Sequence, residues 1–281
     1  MNFSIIIPTL NNINYLKILI KSIKKNSRYN HEIVVHVNEN LDGTINYLEE
    51  NQIKYTYSEK NIGLCSSVNN AAKISNNNYI LYCHDDMYFL PEWDEILKKE
   101  IEYTKDNKFY LSGTMIQKSG ADLILDCGDT YKNFNEDYLL NNYKDINNKD
   151  HQGSHWAPHL IHKDIWNKVG GFSEEFNPGD SSDSDLNMKL WNLGIRYFKG
   201  INNFKVYHFG SISMRKKKEI KKNNGALTFI KKWKISQKFF FKHYLRSGEN
   251  FDGYLKEPNK NFQYYLDFLR SKINYLYSFL R

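Results

Sequence analysis

Apolar positions in the first third of the chain follow two patterns in turn. Short continuous runs have the length and the β-branched content of buried strands. Runs with an apolar residue every three or four positions are typical of amphipathic helices. The predicted strands are residues 4–7, 33–35, 54–58 and 79–83. The predicted helices carry Leu16, Leu19, Ile20 and Ile23 in the first case and residues 66–74 in the second.

This alternation predicts an α/β fold with a doubly wound, mostly parallel sheet. Parallel neighbours need crossover connections, and helices of this length provide them. In such sheets the ligand lies beyond the carboxyl ends of the strands. His84, Asp85 and Asp86 directly follow the fourth strand. The sequence therefore predicts a functional site at these three residues.

The second half of the chain is less regular. It predicts a helix at 93–104, a strand at 110–116, and a loop or excursion in the Asn-rich region 133–150. Two further helices are expected at 164–172, where two glycines stop the helix, and at 183–193, which begins with acidic residues.

Composition places the chain among ordinary globular proteins. It has 281 residues, 41% of them hydrophobic, which is enough to bury a substantial core. We expect no secretory signal and no membrane span, because no apolar run approaches the roughly 18–20 residues that a span needs. The three cysteines, Cys65, Cys83 and Cys127, suit a reducing cytoplasm. A cytoplasmic location is therefore expected.

The positive charge is concentrated near the C-terminus. Residues 215–242 contain eleven Lys or Arg and one acid, a net +10 against +7 for the whole chain. Aromatic residues at 229, 233 and 239–241 lie among these lysines. The pattern fits an amphipathic helix on the inner face of an anionic membrane, or a packing helix with one solvated face. No base-reading motif accompanies the charge, so no nucleic acid is expected.

Asp85 and Asp86 are candidates for a metal site. An isolated acidic pair often forms a solvated turn, but the residues that follow, 87–91, are largely apolar. Carboxylates in such a setting suit Mg²⁺ or Mn²⁺ shared with phosphate oxygens. His208 is a candidate third ligand, or else a hydrogen-bonded structural residue.

Asp183 and Asp185 open a predicted helix, where capping alone would explain one acid. Glu174, Glu175 and Asp180 crowd the same loop. So much like charge is costly unless a ligand, a cation or a proton uses it, so one of these acids is a candidate general base.

Seven motifs in this order resemble family 2 glycosyltransferases of the GT-A fold. They are SIIIPTLNN near the start, DGT at 42–44, NIG at 61–63 followed by Asn69, HDD at 84–86, VGGF at 169–172 before DSDL at 183–186, and HFGS at 208–211. The resemblance implies a metal-dependent, inverting enzyme of polysaccharide or glycoconjugate assembly. Its donor would be a UDP-, GDP- or dTDP-sugar, its acceptor a saccharide or a lipid-linked glycan, and its cofactor Mn²⁺ or Mg²⁺.

The resemblance also implies roles for individual residues. Pro8 and Thr9 match the turn that approaches the nucleotide base, and Asn38 and Glu39 stand where an acid usually holds the uracil or ribose. The donor-binding set it implies is Pro8, Thr9, Asn38, Glu39, Asn61, Gly63, Asn69, His84 and Asp85.

For the chemical step, the resemblance implies Asp86 and His208 as metal ligands and Asp85 as a sugar or ribose contact. Asp183 matches the general base and Asp185 a supporting acid, and the choice between these two stays open. By the same resemblance, His155, Trp156, Pro158 and His159 lie where the family usually meets the acceptor. Trp156 would stack on a sugar ring or else be a buried core residue.

We expect three parts along the chain. Residues 1–110 would bind the nucleotide-sugar, residues 111–214 would form the acceptor-binding and catalytic half of the same domain, and residues 215–281 would form a helical, basic, aromatic-rich extension. The alternatives are a sugar nucleotidyltransferase of similar fold and a non-catalytic carbohydrate- or nucleic-acid-binding module. The first is disfavoured because no glycine-rich triphosphate loop is found near the N-terminus.

Overall fold

The structure is a computed structural model that describes residues 1–104, 106–153, 156–210 and 224–280. Its strands are β1 (Ser4–Leu10), β2 (Glu32–Asn38), β3 (Lys54–Ser58), β4 (Tyr79–Tyr82), β5 (Met87–Phe89), β6 (Phe109–Gln117), β7 (Leu123–Ile124), β8 (His151–Gln152), β9 (His159–His162) and β10 (Tyr197–His208). They form one sheet in the order β3-β2-β1-β4-β9-β6-β10-β5, with β7 beside β6 and β8 beside β10.

The sheet is mostly parallel, as predicted. β1 to β4, β6, β7 and β10 run in one direction. β9 runs against both β4 and β6, and β5 and β8 run against β10. The sequence pattern did not predict β5, β8 or β9, because segments of two to four residues are too short to display a period.

The helices in the first part of the chain are α1 (Ile13–Asn26), α2 (Thr44–Glu50), α3 (Leu64–Lys73), α4 (Trp93–Thr104), α5 (Glu136–Asn142), α6 (Lys163–Val169) and α7 (Ser182–Asn192). α1 buries Leu16, Leu19, Ile20 and Ile23, as its spacing predicts. α5 lies in the region expected to be a loop or excursion. The Asn135 side chain caps it by accepting a hydrogen bond from the Tyr138 N–H, which favours a helix at that point.

β1 continues to Leu10 through Pro8, although the sequence suggested that Pro8 ends it. The Cys83 N–H donates to the Ile6 carbonyl. In β1 the backbone N–H and C=O of Ile6, and of every second residue from it, therefore point toward β4. Pairing with β4 ends at Ile6, and Pro8, two residues later, faces the same side beyond it. Pro8 therefore costs the sheet no hydrogen bond, because β4 does not pair with β1 at that position.

The C-terminal extension packs on the same core as the sheet. Its described elements are α8 (Gly225–Trp233), α9 (Gln237–Phe240), a π-helical turn (Phe241–Leu245) and α10 (Phe262–Tyr277). Phe229 and Phe240 belong to the main hydrophobic cluster, and Phe239 is also buried. These aromatic residues therefore fit the packing-helix interpretation and do not face a membrane.

Within the described ranges, no helix combines the length and the apolar content needed to cross a bilayer. Residues 211–223, which include the end of the HFGS motif and the first part of the basic run, lie outside the described residues, as does His155.

Candidate active site

The predicted site lies at the turn between β4 and β5. Asp85 and Asp86 are buried, with exposed fractions of 6% and 3%. The Thr9 hydroxyl, near the end of neighbouring β1, donates to Asp85 Oδ2 at 2.7 Å. Burial and the adjacent Asp86 raise the pKa of the Asp85 carboxyl, because both disfavour its charge. The carboxyl ends of β1 and β4 thus bring two buried carboxyl groups together, and a cation bound there would stabilise their charged forms.

His208, at the end of β10, completes this cluster. Because β10 pairs with β5, His208 lies opposite Met87, and the Phe209 N–H donates to the Asp86 carbonyl at 3.0 Å. His208 Nε2 lies 3.1 Å from Asp86 Oδ1. Nε2 is nevertheless a buried polar atom that forms no hydrogen bond among the described residues.

The donor set suits a divalent cation. One ligand atom from each of His84, Asp86 and His208 lies within 4.8 Å of the others. Two cis ligands on a metal with bonds of about 2.1 Å are separated by about 3 Å, which matches the His208–Asp86 contact. The unpartnered His208 nitrogen is what a metal would use. We conclude that these residues fit a bound divalent ion.

Gln117, at the end of β6, holds the His208 ring. Its side-chain amide contacts His208 Nδ1, which leaves Nε2 facing Asp86. The amide nitrogen of Gln117 is the atom placed against Nδ1. For Nε2 to bind a metal, Nδ1 must carry the proton, and the Gln117 amide must be turned so that its oxygen accepts the hydrogen bond. Sequence reasoning missed Gln117, although it ends a strand at the sheet edge where the site was expected.

Asp183, in the first turn of α7, has the properties of a general base. Its Oδ1 is buried and has no hydrogen-bond partner in the part of the chain that the structure describes. Burial raises the pKa of the Asp183 carboxyl to about 7. The Ser181 backbone before it is left-handed, with φ 67°, a conformation that is unfavourable for a serine. The result is a carboxylate that titrates near neutral pH and has no structural bond to Oδ1.

Tyr82 and His159 connect Asp183 to the metal cluster. His159 Nδ1 lies 3.9 Å from Asp183 Oδ1. The Tyr82 ring lies 5.0 Å from the His159 ring on one side and 5.6 Å from the His84 ring on the other. The candidate base and the candidate metal ligands therefore border the same group of side chains.

Asp185 is different, because donors occupy both of its oxygens. Oδ2 accepts from the Ser173 hydroxyl at 2.6 Å, and Oδ1 accepts from Trp233 Nε1 at 2.8 Å. Lys232 Nζ lies 2.8 Å from Oδ1, and Lys189 Nζ lies 3.8 Å from Oδ2. Asp185 is fully buried. Its contacts are those of a structural carboxylate that ties α7 to α8.

The C-terminal extension makes further contacts with the segment before α7, at Asp180 and Glu175. The Gly225 N–H donates to Asp180 Oδ2 at 3.0 Å, and a Cβ at Gly225 would lie 2.1 Å from the Asp180 carbonyl oxygen. Lys232 Nζ also lies 2.6 Å from Glu175 Oε1. α8 therefore contacts the chain on both sides of Asp183, at Glu175 and Asp180 before it and at Asp185 after it.

Three of the predicted donor-binding residues are used internally. The Asn38 amide donates to Ser67 Oγ at 2.8 Å, and its oxygen accepts from the Ile62 N–H at 3.0 Å. The Asn61 side chain accepts from the Gly63 N–H at 2.9 Å and shapes that turn. The Asn69 amide pairs with both backbone groups of Phe172, which holds the VGGF turn against α3.

Gly63 is required for close packing. Its φ is +84°, and a Cβ there would lie 2.4 Å from Asn177 Oδ1. The same asparagine oxygen accepts from the Cys65 N–H at 2.9 Å. The NIG motif therefore places the start of α3 against the loop before α7.

Pro8, Thr9 and Glu39 lie at the carboxyl ends of β1 and β2. Thr9 pairs with Val37 across these strands. Glu39 follows β2 in a left-handed conformation, φ 58°, and its Oε2 accepts from the Asn11 amide at 2.8 Å. Strand ends thus bring together this part of the predicted donor set.

Trp156 and His159, two of the acceptor candidates, occupy different environments. His159, in β9, is fully buried, and its Nδ1 lies 2.7 Å from the Tyr110 hydroxyl. Burial lowers the pKa of His159 to about 3, so the ring is neutral. Trp156 is 53% exposed, as suits a residue that meets a ligand from solvent.

The S. aureus protein TarS has a similar fold. A structure of TarS residues 1–349 aligns with a TM-score of 0.57 and 17% identity over 74% of this chain and 60% of that one. Structures in complex with UDP (TM-score 0.55, 19% identity, 74% and 60%) and with UDP-GlcNAc (0.55, 18%, 75% and 61%) align similarly. The chain thus spans about 60% of these TarS structures, and the likeness confirms the predicted GT-A fold.

The sequence itself matches a family over more than half of its length. No curated protein matches the chain. The model of the family described as "Glycosyl transferase family 2" matches residues 4–156, which include β1 to β8, the NIG turn and the HDD motif. The chain therefore belongs to glycosyl transferase family 2.

Proposed function

We propose that the protein transfers a sugar from a nucleotide-diphosphate donor to a hydroxyl group of a saccharide or glycoconjugate acceptor. The observation that carries this proposal is the partner-free Oδ1 of Asp183, buried beside a cluster of three metal-ligand side chains. The 1–110 segment would bind the donor, and the 111–214 segment would supply the base and the acceptor contacts.

Asp183 is the proposed general base. It accepts the proton of the acceptor hydroxyl while that oxygen attacks the anomeric carbon. The bond from this carbon to the diphosphate oxygen breaks, and the diphosphate leaves with the electron pair. One displacement of this kind inverts the anomeric configuration without a protein nucleophile. A pKa of about 7 lets Asp183 be ionised and still basic near neutral pH.

Asp86 and His208 are the proposed metal ligands. A bound Mn²⁺ or Mg²⁺ would supply charge neutralisation of the diphosphate, which makes the nucleotide a better leaving group. Asp85, held by Thr9, would contact the sugar or ribose. Asn38, Asn61 and Asn69 support the donor site indirectly, because their side chains hold the surrounding turns.

The donor is best sought among nucleotide-sugars, with uridine compounds first, because the similar TarS was crystallised with UDP and with UDP-GlcNAc. Thermal-shift measurements with UDP-, GDP- and dTDP-sugars in the presence of Mn²⁺ should identify one that raises the melting temperature, since a ligand of the folded state stabilises it. That donor is then incubated with saccharide acceptors, and the products are analysed.

The released product separates the proposed function from its alternatives. A glycosyltransferase releases a nucleoside diphosphate and glycosylates the acceptor. A sugar nucleotidyltransferase consumes a nucleoside triphosphate and releases pyrophosphate. A carbohydrate-binding module releases neither. Binding of a nucleotide-sugar without any acceptor-dependent release of nucleotide would contradict the proposal.

Membrane contact through residues 215–281, at the cytoplasmic face, is a further part of the proposal. Exposed apolar residues lie along α10 and the residues after it, at Phe262, Tyr265, Leu269, Ile273, Leu276, Phe279 and Leu280. Flotation with anionic vesicles tests this part: Leu269→Ser with Leu276→Ser should reduce binding. Equal flotation of both proteins would contradict membrane contact through α10.

A further inference from the structure

His84 contributes a second imidazole to the candidate metal cluster. In the sequence, His84 directly precedes Asp85 and Asp86. Residues 84 and 86 both reach the cluster with His208, while Asp85 turns to the Thr9 hydroxyl. The cluster therefore contains two imidazoles and one carboxylate.

The geometry favours His84 as a ligand over His84 as a packing residue. Its ring centroid lies 5.5 Å from that of His208, at an interplanar angle of 61°. Among the described residues, no side chain or backbone group forms a hydrogen bond with the His84 ring. The ring is partly exposed, so it is not enclosed as a core residue would be. A ring nitrogen is thus free to face the same ion as His208 Nε2.

The donor set carries information about the ion. Imidazole nitrogen is a borderline donor that suits Mn²⁺, Co²⁺ or Zn²⁺, whereas Mg²⁺ prefers oxygen ligands and gives up its water reluctantly. Affinity for nitrogen-containing sites also rises along the first-row series. Compared with a carboxylate at the same position, the His84 imidazole offers no negative charge and no hard oxygen donor. Both differences weaken Mg²⁺ binding.

We propose that His84 is a direct metal ligand and that the resulting two-histidine, one-aspartate centre selects a first-row transition ion such as Mn²⁺ over Mg²⁺. This inference rests on the metal site of the proposed function and specifies its ligands and its ion. It concerns binding of the ion alone, so it is tested without a donor, an acceptor or turnover.

The test uses the full chain freed of metal and titrated with Mn²⁺ alone, with free Mn²⁺ followed by EPR and Mg²⁺ added as competitor. Wild type should bind Mn²⁺ at least about tenfold more tightly than Mg²⁺. His84→Ala should weaken Mn²⁺ binding by about tenfold or more, since even the loss of a residue that only supports a ligand costs about that much. His84→Asp should shift the preference toward Mg²⁺. His151→Ala, which removes a histidine outside the cluster, is the matched control.

Pulsed EPR of the wild-type Mn²⁺ protein gives a second readout that needs no folded variant. Coupling to two imidazole nitrogens supports the inference, and coupling to one overturns it. Unchanged Mn²⁺ affinity in His84→Ala also overturns it. If Asp86→Ala still abolishes binding in that case, only the role of His84 is wrong. If Asp86→Ala binds Mn²⁺ as wild type does, the metal site of the proposed function is wrong as well.

Discussion

Asp183 and Asp185, the two carboxylates in the first turn of α7, have opposite surroundings. Asp183 Oδ1 is buried without a hydrogen-bond partner, whereas Asp185 accepts hydrogen bonds from Ser173 and Trp233 and pairs with Lys232. Buried polar groups are almost always satisfied, because a lost hydrogen bond costs about 1–3 kcal/mol. An unsatisfied group that persists points to a ligand, and a satisfied one points to structure.

The same contrast extends to the surrounding regions. At the sheet edge, His208 Nε2 and His159 Nε2 are also buried without hydrogen-bond partners. At the α7–α8 contact, Gly225 and Lys232 bond to Asp180 and Glu175 in the loop before α7, and Trp233 bonds to Asp185 in α7. The sheet edge leaves buried polar atoms without partners among the described residues, whereas the α7–α8 contact satisfies its polar groups and holds the start of α7 in place.

The largest expected effect is on turnover in Asp183→Asn. Loss of a general base costs about 10²–10⁴-fold in rate. The proposed donor and metal residues at the ends of β1, β4 and β10 lie outside α7 and are left unchanged. Transfer should fall accordingly, and nucleotide binding should stay near the wild-type value. Nucleotide binding is measured by calorimetry and transfer by release of the nucleoside diphosphate. Wild-type turnover in Asp183→Asn would remove Asp183 from the mechanism.

The second effect is on stability and has opposite signs at the two carboxylates. Asp185→Asn weakens the hydrogen bonds from Ser173 and Trp233 and removes one of the two carboxylates paired with Lys232, so it should lower the unfolding free energy by about 1.5–3 kcal/mol. Asp183 has an ordinary pKa of 3.8 that burial raises to about 7, so the folded state binds its proton more tightly than the unfolded state. Its contribution to stability therefore falls as pH rises between these values.

At pH 8 the metal-free Asp183→Asn protein should accordingly melt at a higher temperature than wild type, and the difference should shrink at pH 5. Thermal melts of the two variants at both pH values measure this. Equal destabilisation by both substitutions at pH 8 would mean that Asp183 is a structural residue too.

The third effect is on metal-dependent nucleotide binding. Asp86→Ala removes the carboxylate of the cluster and should weaken UDP binding in Mn²⁺ by about a hundredfold, or about 2.7 kcal/mol. Binding without metal should change little. Asp164→Ala, which removes an exposed carboxylate on α6, is the control. A similar loss with and without Mn²⁺ would show that Asp86 acts through folding rather than through a metal.

The sequence predicted much of the sheet edge, for identifiable reasons. Continuous apolar runs fixed β1, β2 and β4, and the rule for parallel sheets placed His84 to Asp86 at their carboxyl ends. The helical spacing of α1 and the glycine stop of α6 were also legible, the latter because Gly170 adopts a left-handed conformation after Val169.

Long-range contacts were not predictable from the sequence. Asn69 was assigned to the donor, but its amide holds Phe172, which is 103 positions away. Asp183 and Asp185 look alike in DSDL, and only tertiary contacts, from Ser173 and from α8, separate them. The lysine–aromatic pattern at 229–241 fitted a membrane or a core equally well, and tertiary packing decided for the core at Phe229 and Phe240.

The ionisation of Asp183 during turnover tests the central claim most directly. With metal and donor saturating, kcat should fall about tenfold for each pH unit below about 7 and level off above it, because the base must be ionised. Since Asp85 also has a raised pKa, Asp85→Asn is the control, and the same limb should appear in it at a lower rate. A kcat that stays flat from about pH 5.5 to 8, or a limb that vanishes in Asp85→Asn, would contradict Asp183 as the base.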